Sequence, residues 1–128
     1  MILVGFRGTT PNDIEVKELA HDIEKGYVGG VILFNVDIAN AWAKGLKGAE
    51  VRKEIKSRNI QNVVQVQELN NYLSNAAAHG KQPPLFISID QEGGIISRIV
   101  SEHGFDVNIP SARDIAKQYT PEQTRQLY

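Results

Sequence analysis

Leu85-Phe86-Ile87-Ser88-Ile89-Asp90-Gln91-Glu92-Gly93-Gly94 joins an apolar run to an acidic end and a glycine turn. Six residues, mostly apolar and β-branched or aromatic, follow Pro83-Pro84, which forces the chain to extend, so the run predicts a strand. Side chains alternate along a strand. Leu85, Ile87 and Ile89 therefore share an aliphatic face suited to packing under helices, while Phe86, Ser88 and Asp90 share the other. Asp90 closes the run and Gly93-Gly94 allows a sharp turn, after which Arg98 can return as a fork-shaped donor beside Asp90. An acceptor and a multidentate donor at one strand mouth suit a polyhydroxylated ligand. The bland alternative is a structural ion pair closing a tight turn.

The elements before this strand alternate in type. Asn62 caps a helix with Val66, Leu69, Leu73, Ala76 and Ala77 on one face and Gly80 at its end. Upstream, Val28 to Phe34 and Ile2 to Phe6 are short apolar runs, too short for buried helices, and predict two more strands. Between them Val16, Leu19, Ala20 and Ile23 recur at helical spacing, with Asn12 and Glu15 as the expected capping box and Gly26 as the stop. Downstream, Thr120-Pro121-Glu122-Gln123 predicts one further helix start. Apolar strands alternating with amphipathic helices imply a parallel sheet with right-handed crossovers. Two architectures fit that pattern: a doubly wound sheet, and the first three β/α units of a TIM (β/α)8 barrel left incomplete by 128 residues, where a whole barrel takes about 250. In both, ligands bind at the carboxyl ends of the strands, where Asp90 sits.

Composition narrows the function class. With 14 Lys and Arg against 15 Asp and Glu the net charge is −1, which offers no electrostatic footprint for nucleic acid or an anionic membrane. No apolar run approaches the roughly 20 residues that cross a bilayer. Met1 to Gly8 is too short and lacks the basic start of a signal peptide, so the chain itself reads as cytoplasmic, with a periplasmic or secreted alternative if a leader lies upstream. No metal-ligand constellation or phosphate-cradling Gly-Lys-Ser/Thr motif occurs, and no cofactor is expected. Residues 36–58 read as an irregular, partly helical insertion built on Trp42, Leu46, Val51 and Ile55, mildly basic on a solvated face.

Three blocks in order carry a family resemblance. Leu3-Val4-Gly5-Phe6-Arg7-Gly8 resembles the first strand of the family 3 glycoside hydrolases. Gly29-Gly30-Val31-Ile32-Leu33-Phe34 resembles their second, and Phe86 to Gly94 followed by Arg98 resembles their third strand and sugar-binding loop. Arg58-Asn59-Ile60-Gln61-Asn62 and Ile109-Pro110-Ser111-Ala112 fit weaker connecting motifs. The likeness covers nearly the whole of residues 1–128, which read as the N-terminal portion of one barrel domain. Glu92-Gly93-Gly94 matches the β-N-acetylhexosaminidase branch, where the β-glucosidase branch tends to carry Val-His-Gly; Ile95 stands where that branch usually has arginine.

The resemblance implies a retaining hydrolase that removes terminal β-linked N-acetylhexosamine. Asp90 and Arg98 would bind the N-acetylglucosaminide substrate, and Gln91, Glu92, Gly93 and Gly94 would shape the loop. Retaining glycosidases need a nucleophilic carboxylate and an acid/base roughly 5 Å apart. The family's aspartate nucleophile comes late in the barrel, and its acid/base histidine lies in a Lys-His-Phe-Pro-Gly-His-Gly-like segment. Neither matches anything here: His103-Gly104-Phe105 is a poor echo, and His21, His79 and His103 read as exposed histidines. Asp90 and Glu92 could share a face only if the strand ran on past Asp90. No catalytic residue is therefore assigned, and the isolated chain is expected to be inactive. The rival expectation is a truncated, non-catalytic sugar-binding or self-assembling module, pairing with itself or with a complementing C-terminal fragment through unpaired strand edges. A flavodoxin-like domain with Gly93-Gly94 as an anion-binding turn is the more remote alternative.

Overall fold

The computed structural model describes residues 2–37, 43–45, 57–94, 96–107 and 109–127. Most of the 36–58 insertion, including Trp42, Leu46, Val51 and Ile55, lies outside these residues, as does Ile95. The elements run β1 (Leu3–Gly5), α1 (Ile14–Glu24), β2 (Gly30–Leu33), α2 (Val63–His79), β3 (Phe86–Ile89), a 3-10 turn (Ser101–His103), α3 (Ala112–Gln118) and α4 (Pro121–Leu127). The strands form one parallel sheet in the order β1-β2-β3. Val4 pairs with Val31 and Val31 with Ile87, so these three side chains share a face.

That face is where the helices pack. Val16, Leu19, Ala20 and Ile23 of α1 and Val66, Leu69, Leu73 and Ala77 of α2 are buried in one cluster with Val31 and Leu33, and Val4, Ile87 and Ile89 border it. The helices also pack against each other. At the end of α2 the backbones come very close: a Cβ on Gly80 would lie 2.0 Å from the Glu24 carbonyl oxygen, so this contact between the ends of α2 and α1 admits no side chain. Full burial of Leu69 and Leu73 is worth about 1.5–3 kcal/mol each. The aliphatic face of the third strand thus packs as its alternation predicts.

On the opposite face no helix among the described residues covers Leu3 or Phe86, while Arg58 and Phe34 approach Gly5. Leu3, Gly30 and Phe86 form one cross-strand row and Gly5, Ile32 and Ser88 the next. Leu3 is 46% and Phe86 54% exposed. A sheet with helices on one face and an open apolar second face, its strands in sequential order, is an α/β arrangement whose open side would be the interior if the sheet closed on itself.

Local capping departs from expectation at two places. Asn12 does not cap α1; Asp13 occupies the N-cap, and its carboxylate turns away from the helix to accept from the amides of Thr9 (2.7 Å) and Thr10 (3.0 Å). The turn through Gly8, at φ 110°, presents those two amides together and outcompetes the helix for the side chain. The second departure is α3, an unforeseen helix. Ser111 caps it, its Oγ accepting from the Asp114 amide at 3.1 Å, but Ile115 is its one buried residue, so hydrophobic periodicity could not signal it. Asn62 and Thr120 cap as expected: the Asn62 side chain accepts from the Gln65 amide at 3.0 Å. Thr120 and Gln123 exchange hydrogen bonds of 2.9 and 3.3 Å, a complete capping box.

Candidate functional site

Polar residues follow each strand at its carboxyl end: Arg7 after β1, Asn35 and Asp37 after β2, and Asp90 after β3. Parallel pairing brings these positions together at one edge of the open face.

The third loop folds around Gln91. Its Oε1 accepts from the Arg98 amide (2.8 Å) and the Ile99 amide (3.3 Å), and its Nε2 donates to the Ile99 carbonyl (3.2 Å). This clamp closes the loop from 91 to 99 and returns Arg98 to the mouth of β3. Glu92 is exposed; its amide donates to the Ile96 carbonyl at 2.8 Å across a one-residue antiparallel bridge. The strand ends at Ile89, so strand alternation does not reach Glu92 and gives no basis for pairing it with Asp90. Gly93, at φ 84°, is buried against the Ile109–Pro110 backbone, where a Cβ would stand 2.3 Å from the Pro110 oxygen. Gly94 donates its amide to the Ile109 carbonyl at 3.0 Å, pinning the turn to the segment before α3.

Arg98 and Asp90 meet as the sequence predicts, at 3.5 Å between Nη2 and Oδ2. The pair is unequal: the arginine side chain is 9% exposed and the aspartate 46%. A clasped guanidinium–carboxylate pair sits at about 2.7–2.9 Å, so this one is loose. Arg98 Nη1 also approaches Asn35 Oδ1 at 3.5 Å, its face lies 5.4 Å from the centre of the Phe34 ring, and its buried Nε has no partner among the described residues. The site therefore holds a desolvated cation with unused donors beside an accessible carboxylate, a combination that can grip a ligand with several hydroxyls.

Further residues of this edge lie outside the third strand and its turn. Asn59 is fully buried and acts as a latch between strand ends: its Oδ1 accepts from the Phe34 amide (3.1 Å), and its Nδ2 donates to the carbonyls of Phe6 (3.1 Å) and Gly8 (3.2 Å). Its own amide donates to the Phe34 carbonyl at 2.9 Å. Gln65 of α2 extends the latch, donating to the carbonyls of Thr9 and Asn59. Arg58 donates Nε–H to the Phe6 carbonyl at 2.7 Å and lies 4.8 Å from the Phe34 ring centre. Burial lowers its pKa, Asp37 opposing that shift. Arg7 pairs with Asp37 through Nε (2.6 Å) and Nη2 (3.2 Å), a contact that raises the arginine's pKa. The signal available was the shared register: the residues following all three strands are polar, not those of β3 alone.

His21 and His79 are exposed on α1 and α2, as expected, whereas His103 is half-buried in the 3-10 turn with its Nδ1 enclosed. Among the described residues no three His, Cys, Asp or Glu side chains converge as a metal site, and no helix is long and apolar enough to cross a membrane.

With this geometry in hand, known proteins place the chain. The Glycosyl hydrolase family 3 N terminal domain matches residues 6–127. A Beta-hexosaminidase A from Pseudoalteromonas piscicida is 37% identical over 86 residues, which are 66% of this chain but 11% of that protein. The chain thus corresponds to a small part of its curated relative's length. No solved structure matches it significantly.

Proposed function

Because the chain belongs to glycosyl hydrolase family 3, we propose that it supplies the first three β/α units of a family barrel and part of the subsite for the non-reducing sugar. The parent activity is removal of terminal β-linked N-acetylhexosamine, chiefly N-acetylglucosamine, with retention of configuration. Support for the substrate comes from the Glu92-Gly93-Gly94 turn and from the similarity to a Beta-hexosaminidase A. The observation that carries the reading is the loose Asp90–Arg98 pair at the strand mouth: one side chain accepts and the other donates, and neither is consumed by its partner. In this reading Asp90 and Arg98 hold sugar hydroxyls, while Gln91, Gly93 and Gly94 fix the loop that carries them and Glu92 lines its outer side.

None of the residues at this edge is assigned as nucleophile or acid/base. The proposal is that residues 1–128 bind without turning over. Purified chain incubated with a chromogenic N-acetyl-β-glucosaminide should release no leaving group above the buffer control; release abolished by Asp90→Asn would sink the inactive reading and demand a catalytic carboxylate within this chain. Saturation-transfer NMR with N-acetylglucosamine should give contacts that Arg98→Ala removes.

A second reading rests on the uncovered sheet face with Leu3 and Phe86 exposed. In it the chain is a non-catalytic module that associates with itself or with a complementing C-terminal fragment. Sedimentation showing a concentration-independent monomer would argue against self-association.

A further inference from the structure

Of the polar residues buried at the mouth of the sheet, Asn35, Ser97 and Arg98 adjoin one another and are each at least nine-tenths buried. The Asn35 Nδ2 donates to the Ser97 carbonyl at 3.2 Å, and its Oδ1 faces the Nη1 of Arg98 at 3.5 Å. The first contact dictates the second. Flipping the amide would press its oxygen against the Ser97 carbonyl and its NH2 against a guanidinium, setting acceptor against acceptor and donor against donor. Asn35 is thus locked with a neutral oxygen towards the cation.

The guanidinium is consequently held on three sides. Asn35 stands at Nη1, Asp90 at Nη2 and the Phe34 ring against its face. Both polar contacts are long, and Nε is enclosed without an acceptor among the described residues. Orientation comes from an uncharged amide and an aromatic ring, so the positive charge stays available to Asp90 and to whatever enters. A carboxylate at position 35 would clasp Arg98 and quench it.

We propose that Asn35 is a positioning residue that sets the plane of the Arg98 guanidinium for ligand binding without itself neutralising the charge that Asp90 only loosely pairs. The sugar-binding part of this proposal rests on the reading of Asp90 and Arg98 given above; the orienting part does not.

The test uses the 128-residue chain labelled with 15N-arginine, the Arg98 Nε–H signal being assigned by its loss in Arg98→Lys. In the wild type this proton should exchange slowly with water and shift on titration with N-acetylglucosamine. In Asn35→Ala, with its backbone amide spectrum otherwise intact, exchange should quicken and sugar affinity fall, each by about tenfold, the size of one hydrogen bond to a charged group. In Asn35→Asp the exchange should stay slow, yet affinity should fall comparably because the charge is now clasped. A folded Asn35→Ala with unchanged exchange overturns the orienting role. If Asn35→Ala does not fold, Asn35→Asp decides: wild-type affinity in that variant overturns the proposal, and weakened affinity with slow exchange supports it. Failure of the wild-type signal to respond to sugar refutes the sugar reading instead, and the exchange rates still judge the orientation.

Discussion

Asn59 shows how much one side chain can organise when every polar atom it owns is used. Its amide bonds two carbonyls from the β1 end and one amide from the β2 end, the side chain itself being fully buried. Asn59→Ala leaves these groups to find other partners, at about 1–3 kcal/mol for each one left unsatisfied. The midpoint of urea unfolding should drop with the slope unchanged, as expected when stability rather than exposed surface is altered. Asp13 makes a prediction of a different kind. Hydrogen bonds from the Thr9 and Thr10 amides hold its pKa below the ordinary carboxylate value. A depressed folded pKa stabilises the protein above the unfolded pKa, and that contribution disappears as pH falls through the folded value. The thermal midpoint should therefore decline below about pH 4, and Asp13→Asn should flatten that part of the profile while lowering the midpoint at neutral pH.

Among the elements, α1 and α2 were legible from the stripe each buries and α4 from its Thr120 cap, whereas α3 was not. The faces of α1 and α2 follow directly from helical spacing, and the aliphatic side of β3 from strand alternation, because burial selects residue type at fixed intervals. Leu73→Ala, at a fully buried position on α2, should cost about 2–5 kcal/mol; Val64→Ala, 73% exposed near the start of the same helix, should shift stability by about 0.5 kcal/mol or less. Comparing their denaturation midpoints checks the face assignment. In α3, seven residues with one buried side chain leave no period to detect, and its Ser111–Asp114 cap is the feature that betrays it. The cap of α1 misled because Asp13 serves the turn before the helix. Of the candidate site, the Asp90–Arg98 meeting was legible from one strand and its turn. Asn35, Arg58 and Asn59 were not, because their roles depend on cross-strand register and on contacts 25 to 63 residues apart.

At the scale of the whole molecule, the decisive fact is that helices cover one side of the sheet while Leu3 and Phe86 on the other stay exposed among the described residues. Phe86 lies on the open side, so Phe86→Thr should leave the unfolding free energy within about 1 kcal/mol of the wild type. If the open face mediates self-association, as the second reading has it, the same change should reduce concentration-dependent association in sedimentation; binding of a hydrophobic dye should weaken in either case. Loss of several kcal/mol instead would mean that the open face is covered within the chain.

The latch at Asn59 carries a consequence for the length of the chain around it. Phe34 and Asn59 exchange two hydrogen bonds although 24 residues separate them, so the segment that departs after β2 is returned almost to its starting point. Once the ends of such a loop are stapled, its contour length is nearly free: each doubling adds only about 0.6 kcal/mol of closure entropy. Sequence between Asp37 and Arg58 can therefore be lengthened, shortened or replaced while Asn35, Asp37 and Arg58 keep their places at the strand mouths, which makes this the natural port for grafting new sequence beside an unchanged binding edge.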